Sequence, residues 1–372
     1  MRFNDYARLD QKLFETAGAV ENNLLKFINP LNFEEEKRLF FAALKKGEEY
    51  NPIFTYSERN PSYAYFTTKS ALSTFNSELC EMAKETGRDE LGIIFDSEIL
   101  DLQEKIEMIK SIGTANFSGN TESYYGELQY ESLRLAIKTI KKNPLEKETP
   151  IEFNKAIEII KNFLKKKRLT YKIVIREPGG ARFAVINSRR ELLINKDTIF
   201  TEEMVKRFIA HEIETHIYRY ENGLSQPYKI FAHGFSRETT QTEEGLATCV
   251  EKMLGVSSEK QVKEYAGRLV AINTAIKNSF FKTYVEMNKY FDEENSFRLT
   301  LRAKRGILDQ SKGGAFFKDA LYFKGMLHVE KFLKTHEVKE LYFGKYAIED
   351  ILLVKNIPGL KEPKFMPNLP KS

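Results

Sequence analysis

Thr201–Asn222 reads TEEMVKRFIAHEIETHIYRYEN, and the run His211-Glu-Ile-Glu-Thr-His216 inside it decides how the rest of the chain is read. Thr201 can cap a helix, and Glu202 and Glu203 fall in its first turn, where the positive end of the helix dipole favours them. Phe208, Ile209, Ile213 and Ile217 give the segment an apolar side, so this helix packs into the body and carries its histidines with it. Gly223 marks its expected end.

The chain has only five histidines, and two of them lie in these six residues. Neutral imidazole is a common zinc ligand. A glutamate beside the first ligand, Glu212, can take a proton from a metal-activated water. The usual peptidase motif leaves two residues between that glutamate and the second histidine, whereas here there are three. An α-helix turns about 100° per residue, so ligands four apart are offset by about 40° and ligands five apart by about 140°. A regular helix therefore cannot aim His211 and His216 at one ion. The spacing predicts a wider turn or an unwinding near His216.

A catalytic zinc site needs a third protein ligand and one open position. Thr240-Gln-Thr-Glu-Glu-Gly-Leu-Ala247 offers two carboxylates, 28 residues or fewer beyond His216. Thr240 and Glu243 have capping-box spacing, so a second helix is expected to start near Thr240 with Glu243 in a capping role. That leaves Glu244 to face the metal, and Gly245 would let the two helix backbones approach closely. His233 is a rival ligand. Cys80 and Cys249 are too few and too distant for a disulfide framework or a cysteine-rich zinc site, and Cys249 reads as a small buried residue.

Upstream of the motif the pattern alternates. Tyr171–Arg176, Ala181–Asn187 and Glu191–Lys196 read as three strands, with Pro178-Gly179-Gly180 as a turn, suggesting an antiparallel meander. The strand Glu191–Lys196 could bind an extended peptide by strand addition. Residues 1 to about 140 read as helical. Asn32–Lys46 has acids in its first turn and lysines in its last, with Gly47 as a stop. Asn51–Ser62, with two Asn-Pro pairs, reads as an extended loop, and Glu127–Lys141 as an amphipathic helix. Lys141–Pro150 is charged and contains two prolines, so it is the expected boundary between an N-terminal helical region, 1–145, and a catalytic region, 146–372. The fold class expected is α+β, mostly helical, with a small antiparallel sheet next to the metal-binding helix.

Composition sets outer limits. The chain of 372 residues is 42% hydrophobic and 30% charged, with a net charge of +5 from 58 basic and 53 acidic residues. That excess gives no reason to expect a nucleic-acid partner. No apolar run approaches the roughly 18 residues of a membrane span, and the start, MRFNDYARLDQKLFE, lacks an apolar signal core. A cytoplasmic protein without a membrane partner is expected. The run Lys165–Arg168 reads as solvated helix surface.

The pair formed by His211-Glu-Ile-Glu-Thr-His216 and Thr242-Glu-Glu-Gly-Leu-Ala247 resembles the tyrosine/phenylalanine carboxypeptidase family, formerly a domain of unknown function. Bacterial members of that family are named for a Gln-Glu-Gly-Leu-Ala motif. Here Glu243 stands in the glutamine position, a mild departure from the bacterial name and closer to the animal form. Asn51-Pro52 with Phe54 and Tyr56, Lys304-Arg305-Gly306, and Lys318-Asp319 with Tyr322 and Gly325 also look like family positions, so the likeness spans roughly 30–335. It implies a Zn²⁺ peptidase with His211, His216 and Glu244 as ligands, Glu212 as general base, and removal of a residue from the C-terminus of a peptide or protein, aromatic in the animal members. An enzyme acting at a free C-terminus must hold a carboxylate, for which Arg302, Arg305 and Lys318 are candidates. Tyr322 and His233 are candidate oxyanion donors. Two other readings remain open at this point: a regulatory binding protein that keeps the metal site, and a zinc amidase acting on a small substrate.

Overall fold

The computed structural model describes residues 6–56, 72–144, 149–176 and 183–370. The expected Pro178-Gly179-Gly180 turn, part of the Asn51–Ser62 loop and the centre of the 141–150 segment lie outside those residues. The fold is α+β and mostly helical. Among the described residues no helix is long and apolar enough to cross a membrane.

The chain forms two compact units, and neither is a single stretch of sequence. One comprises Met1–Asn143 and Gln261–Lys324, and the other Pro144–Lys260 and Gly325–Ser372. This departs from the two-region division expected from the sequence, because 261–324 groups with the N-terminal residues. In the first unit the acid-led helix Phe33–Lys45 ends before Gly47, which takes φ +73°. Its Phe40 is the centre of an aromatic core. The Phe40 ring lies 4.8 Å from Tyr284, 5.1 Å from Phe297 and 5.4 Å from Phe280, so part of the chain's aromatic content is packing material.

The second unit carries the histidine motif. Its strands are β1 (Pro150–Ile151), β2 (Lys172–Arg176), β3 (Phe183–Ile186), β4 (Glu191–Asn195) and β5 (Phe200–Thr201). The three-stranded sheet has the order β2-β4-β3. β4 pairs with β3 antiparallel and with β2 parallel, with Lys172 opposite Glu191 and Arg176 opposite Asn195. The sheet is therefore mixed, which corrects the expected antiparallel meander. The reason lies in β4, where Leu192, Leu193 and Ile194 are all buried. A strand apolar on both faces belongs at the centre of a sheet. With both edges of β4 occupied, it cannot take up a substrate by strand addition, which corrects that expectation too.

β1 and β5 form a two-residue antiparallel clamp just ahead of the motif helix. Thr201 caps that helix, its hydroxyl accepting from the Met204 amide at 3.2 Å. The helix then runs as Glu202–Phe208, a π-helical stretch Ile209–Ile217, and Tyr218–Leu224. Ile213 and Ile217 are completely buried, each contributing about 1.5–3 kcal/mol. Phe183 of β3 meets Phe208 edge-on at 4.9 Å, so the sheet fixes the start of the wide turn.

Candidate metal centre

The π-helical stretch is the distortion that the five-residue histidine spacing predicts. Bonds closing i to i+5 widen each turn, so residues five apart return to one face. Thr215 follows the same spacing, its hydroxyl donating to the Ala210 carbonyl at 3.0 Å. The rings of His211 and His216 consequently meet edge-on, with centroids 5.0 Å apart.

The helix Glu238–Met253 brings the third group. It begins before Thr240, and no side chain caps it. The capping role expected for Glu243 is therefore corrected: its carboxylate faces His216 and Arg219 instead. Glu244 points at the two rings: its Oε2 lies 3.7 Å from His211 Nε2 and 3.9 Å from His216 Nε2. Donor atoms of the three residues all lie within 4.8 Å of one another. Bonds of about 2.0–2.2 Å to a tetrahedral zinc would separate such donors by roughly 3.3–3.5 Å, so each Glu244–histidine separation would need to shorten by only a few tenths of an ångström. These side chains are only 12–13% exposed.

Gly245 permits a close approach, but to a different helix from the one expected. A β-carbon there would stand 2.3 Å from the Gly325 backbone, and one on Gly325 would stand 2.3 Å from the Gln241 carbonyl oxygen. The Glu244 helix is thus seated backbone to backbone on the Gly325 stretch of the helix Ala320–Phe332.

Each imidazole is held from behind by a carboxylate. His211 Nδ1 lies 2.7 Å from Glu251 Oε1, and His216 Nδ1 lies 3.0 Å from Glu243 Oε1. A carboxylate at Nδ1 keeps the proton on that nitrogen and leaves the Nε2 lone pair for a metal. Burial alone would push His211 down, yet the Glu244 and Glu251 carboxylates reverse this and push it up to about 10. The pocket therefore favours a positive charge, and the donor set fits a divalent cation such as zinc.

Glu243 is anchored in turn by Arg219, which is completely buried. The Arg219 guanidinium donates to Glu243 Oε2, to the Leu341 and Gly344 carbonyls at 2.7 and 3.0 Å, and to the Tyr346 carbonyl at 2.8 Å. Lys345 Nζ reaches Glu243 Oε1 at 3.1 Å. Burial opposes ionisation of Glu243, but Arg219 and Lys345 hold its carboxyl well below the usual range. Glu251, Glu243, Arg219 and Lys345 were all missed from sequence. One signal was available: Glu251 follows Glu244 by seven residues, two helical turns, on the same face.

The other expected site residues are placed as follows. Glu212 follows His211 in the wide turn, half-buried, with its charge felt at His211. His233 is buried edge-on to Tyr220 at 5.8 Å and is not in the ligand group. Arg302, Arg305, Lys318 and Tyr322 belong to the first unit. There Arg302 forks onto Asp319, with Nη2 2.9 Å from Oδ1, and Arg305 reaches the same oxygen at 3.7 Å. Tyr322 stacks on Tyr265 at 5.4 Å beneath the Arg268 guanidinium, 4.2 Å from its ring centre. Arg268 and Arg298 share Glu264. Among the described residues, Arg302 and Arg305 thus meet on Asp319, and Arg268 and Arg298 on Glu264. Lys318 is half-buried in the short turn Phe317–Asp319.

A family model described as microtubule-associated tyrosine carboxypeptidase matches residues 40–370. Microtubule-associated tyrosine carboxypeptidase 1 of Rattus norvegicus is 28% identical over 226 residues, which is 57% of this chain and 47% of the relative. The Mus musculus protein of the same name is 30% identical over 196 residues, 50% of this chain and 41% of the relative. The Homo sapiens protein is 27% identical over 226 residues, with the same coverage as the rat protein. The chain spans less than half the length of these curated relatives. Both ligand-bearing helices fall inside the stretch that the family model matches, and the chain belongs to the microtubule-associated tyrosine carboxypeptidase family.

Proposed function

We propose that this chain is a zinc-dependent carboxypeptidase that removes a C-terminal residue, aromatic by preference, from a peptide or protein. The observation that carries this reading is the convergence of two imidazole Nε2 atoms on Glu244 Oε2, with carboxylates at both Nδ1 atoms fixing the tautomers. The names of the relatives support the class of peptidase. Bound zinc would supply Lewis acidity, activating a water molecule and polarising the scissile carbonyl. Glu212 would accept a proton as that water attacks and return it to the leaving amine nitrogen. Arg302, Arg305 and Lys318 are the candidates to hold a substrate carboxylate, and Tyr322 and His233 the candidate oxyanion donors, by residue type alone.

The test is zinc content together with digestion of a peptide library. Purified protein should carry about one zinc per chain. It should trim peptides with free C-termini and leave their C-terminally amidated forms intact, and Glu212→Gln should keep the zinc and lose turnover. Equal cleavage of free and amidated peptides would make it an endopeptidase. A Glu212→Gln protein with every function intact would make it a binding protein.

A further inference from the structure

The helix Phe153–Lys166 and the turn that follows it border an open concavity of about 410 Å³. Its floor is apolar, from buried Leu164, Leu169 and Tyr171, and its rim is cationic, from exposed Lys161, Lys165 and Arg168. Residues 159–176 contain seven basic and no acidic residues, in a chain whose whole excess is +5. Lys167 turns elsewhere, to Asn368 Oδ1 at 3.2 Å. Among the described residues, no carboxylate pairs with Lys161, Lys165 or Arg168.

The backbone supplies a second, independent observation. The helix closes with Arg168 at φ +56°, the Leu169 amide donating to the Leu164 carbonyl at 2.9 Å and the Arg168 amide to the Lys165 carbonyl at 3.0 Å. Glycine is the usual residue at that left-handed position, because a β-carbon there is strained. Arg190 is also left-handed, at φ +52°, and its Nη1 donates to Thr170 Oγ1 at 3.0 Å beside Tyr171. Among the described residues these are the only two non-glycine residues with positive φ. Both are arginines: Arg168 lines the concavity, and Arg190 reaches Thr170, one of its lining residues, from outside. Arg190 is partly neutralised by Glu221 at 2.9 Å, whereas Arg168 is not. Helix stability alone argues for glycine at 168, so the side chain there calls for a role outside folding.

We propose that this concavity binds an acidic polypeptide segment, with Arg168 as its anchor. An apolar floor between cationic groups matches a chain that mixes carboxylates with apolar side chains. It lacks the exposed aromatic platform that single-stranded nucleic acid stacks on, since Tyr171 is buried with its hydroxyl 3.0 Å from Asn187 Oδ1. The proposal does not rest on the peptidase reading, since no metal ligand takes part.

The experiment is an anisotropy titration of a labelled, C-terminally amidated glutamate-rich peptide against the full chain. Binding should be saturable and should weaken as salt rises. Arg168→Gly should weaken it roughly fivefold while the melting temperature holds or rises, because glycine relieves the turn. Lys161→Ala with Lys165→Ala should weaken it further. Undiminished binding by Arg168→Gly overturns the proposal, as does binding that ignores salt. A single-stranded oligonucleotide of equal charge that binds more tightly than the peptide also overturns it, in favour of nucleic acid.

Discussion

At the scale of single residues, the proposed centre would depend on groups outside the ligand set itself. Glu251→Gln keeps the shape of the side chain but can present its amide group to His211 Nδ1, removing the charge that orients the ring. Zinc affinity, measured by competition with a chromophoric chelator, should fall about 10- to 100-fold; an unchanged affinity would show that Glu251 does not orient the ligand. The sequence displayed His211, Glu212, His216 and Glu244 because their types and spacing are unusual together. It hid Glu243, because the Thr240–Glu243 spacing satisfies a local capping rule that tertiary contacts with His216 and Arg219 override. A second residue-scale expectation concerns Lys304, fully buried with Nζ donating to the Asn278 and Lys312 carbonyls at 2.8 and 2.6 Å. Burial pushes this ammonium down to about 8. An unfolded lysine titrates near 10.4, so between about pH 8 and 10 the unfolded chain holds more protons at this site than the native one. The group therefore makes stability rise with pH through that window. Urea unfolding should show wild type gaining up to about 1.4 kcal/mol per pH unit relative to Lys304→Met, and parallel profiles would show that Lys304 does not titrate there.

At the scale of elements, the wide turn was legible because helix geometry leaves few other ways to join His211 and His216 across five residues. The strands were legible one by one from their alternation, and their order was not. Whether β4 pairs with β2, β3 or both depends on what covers its two faces, and covering groups come from far along the chain. Gly245 shows the same division: its need for space was readable, but not that Gly325 would be the neighbour. Gly245→Ala forces a β-carbon against backbone that cannot step aside. It should cost about 2–4 kcal/mol in denaturant unfolding and weaken zinc binding by displacing Glu244. A variant as stable as wild type would mean that the crossing can open at little cost.

At the scale of the whole molecule, all three proposed ligands and both carboxylates behind them lie in the unit made of Pro144–Lys260 and Gly325–Ser372. Zinc should therefore raise the melting temperature by mass action, and a chelator should lower it. Hydrogen exchange with and without zinc should place the largest gain in protection at 205–224 and 240–253, and uniform protection across the chain would argue against a localised centre. No local pattern marked 261–324 as belonging with the N-terminal helices, because that membership is a matter of packing between segments well over a hundred positions apart.

That interleaving bears on how the polypeptide is made. Phe40 awaits Phe280, Tyr284 and Phe297, so the aromatic core of the first unit cannot close while the ribosome is still translating the histidine motif. A nascent chain halted before residue 280 would hold its early helices with their greasy faces uncovered, and would be a client for chaperones. Cutting the gene at position 146 to obtain the catalytic part would, for the same reason, strand 261–324 without the partners it folds against.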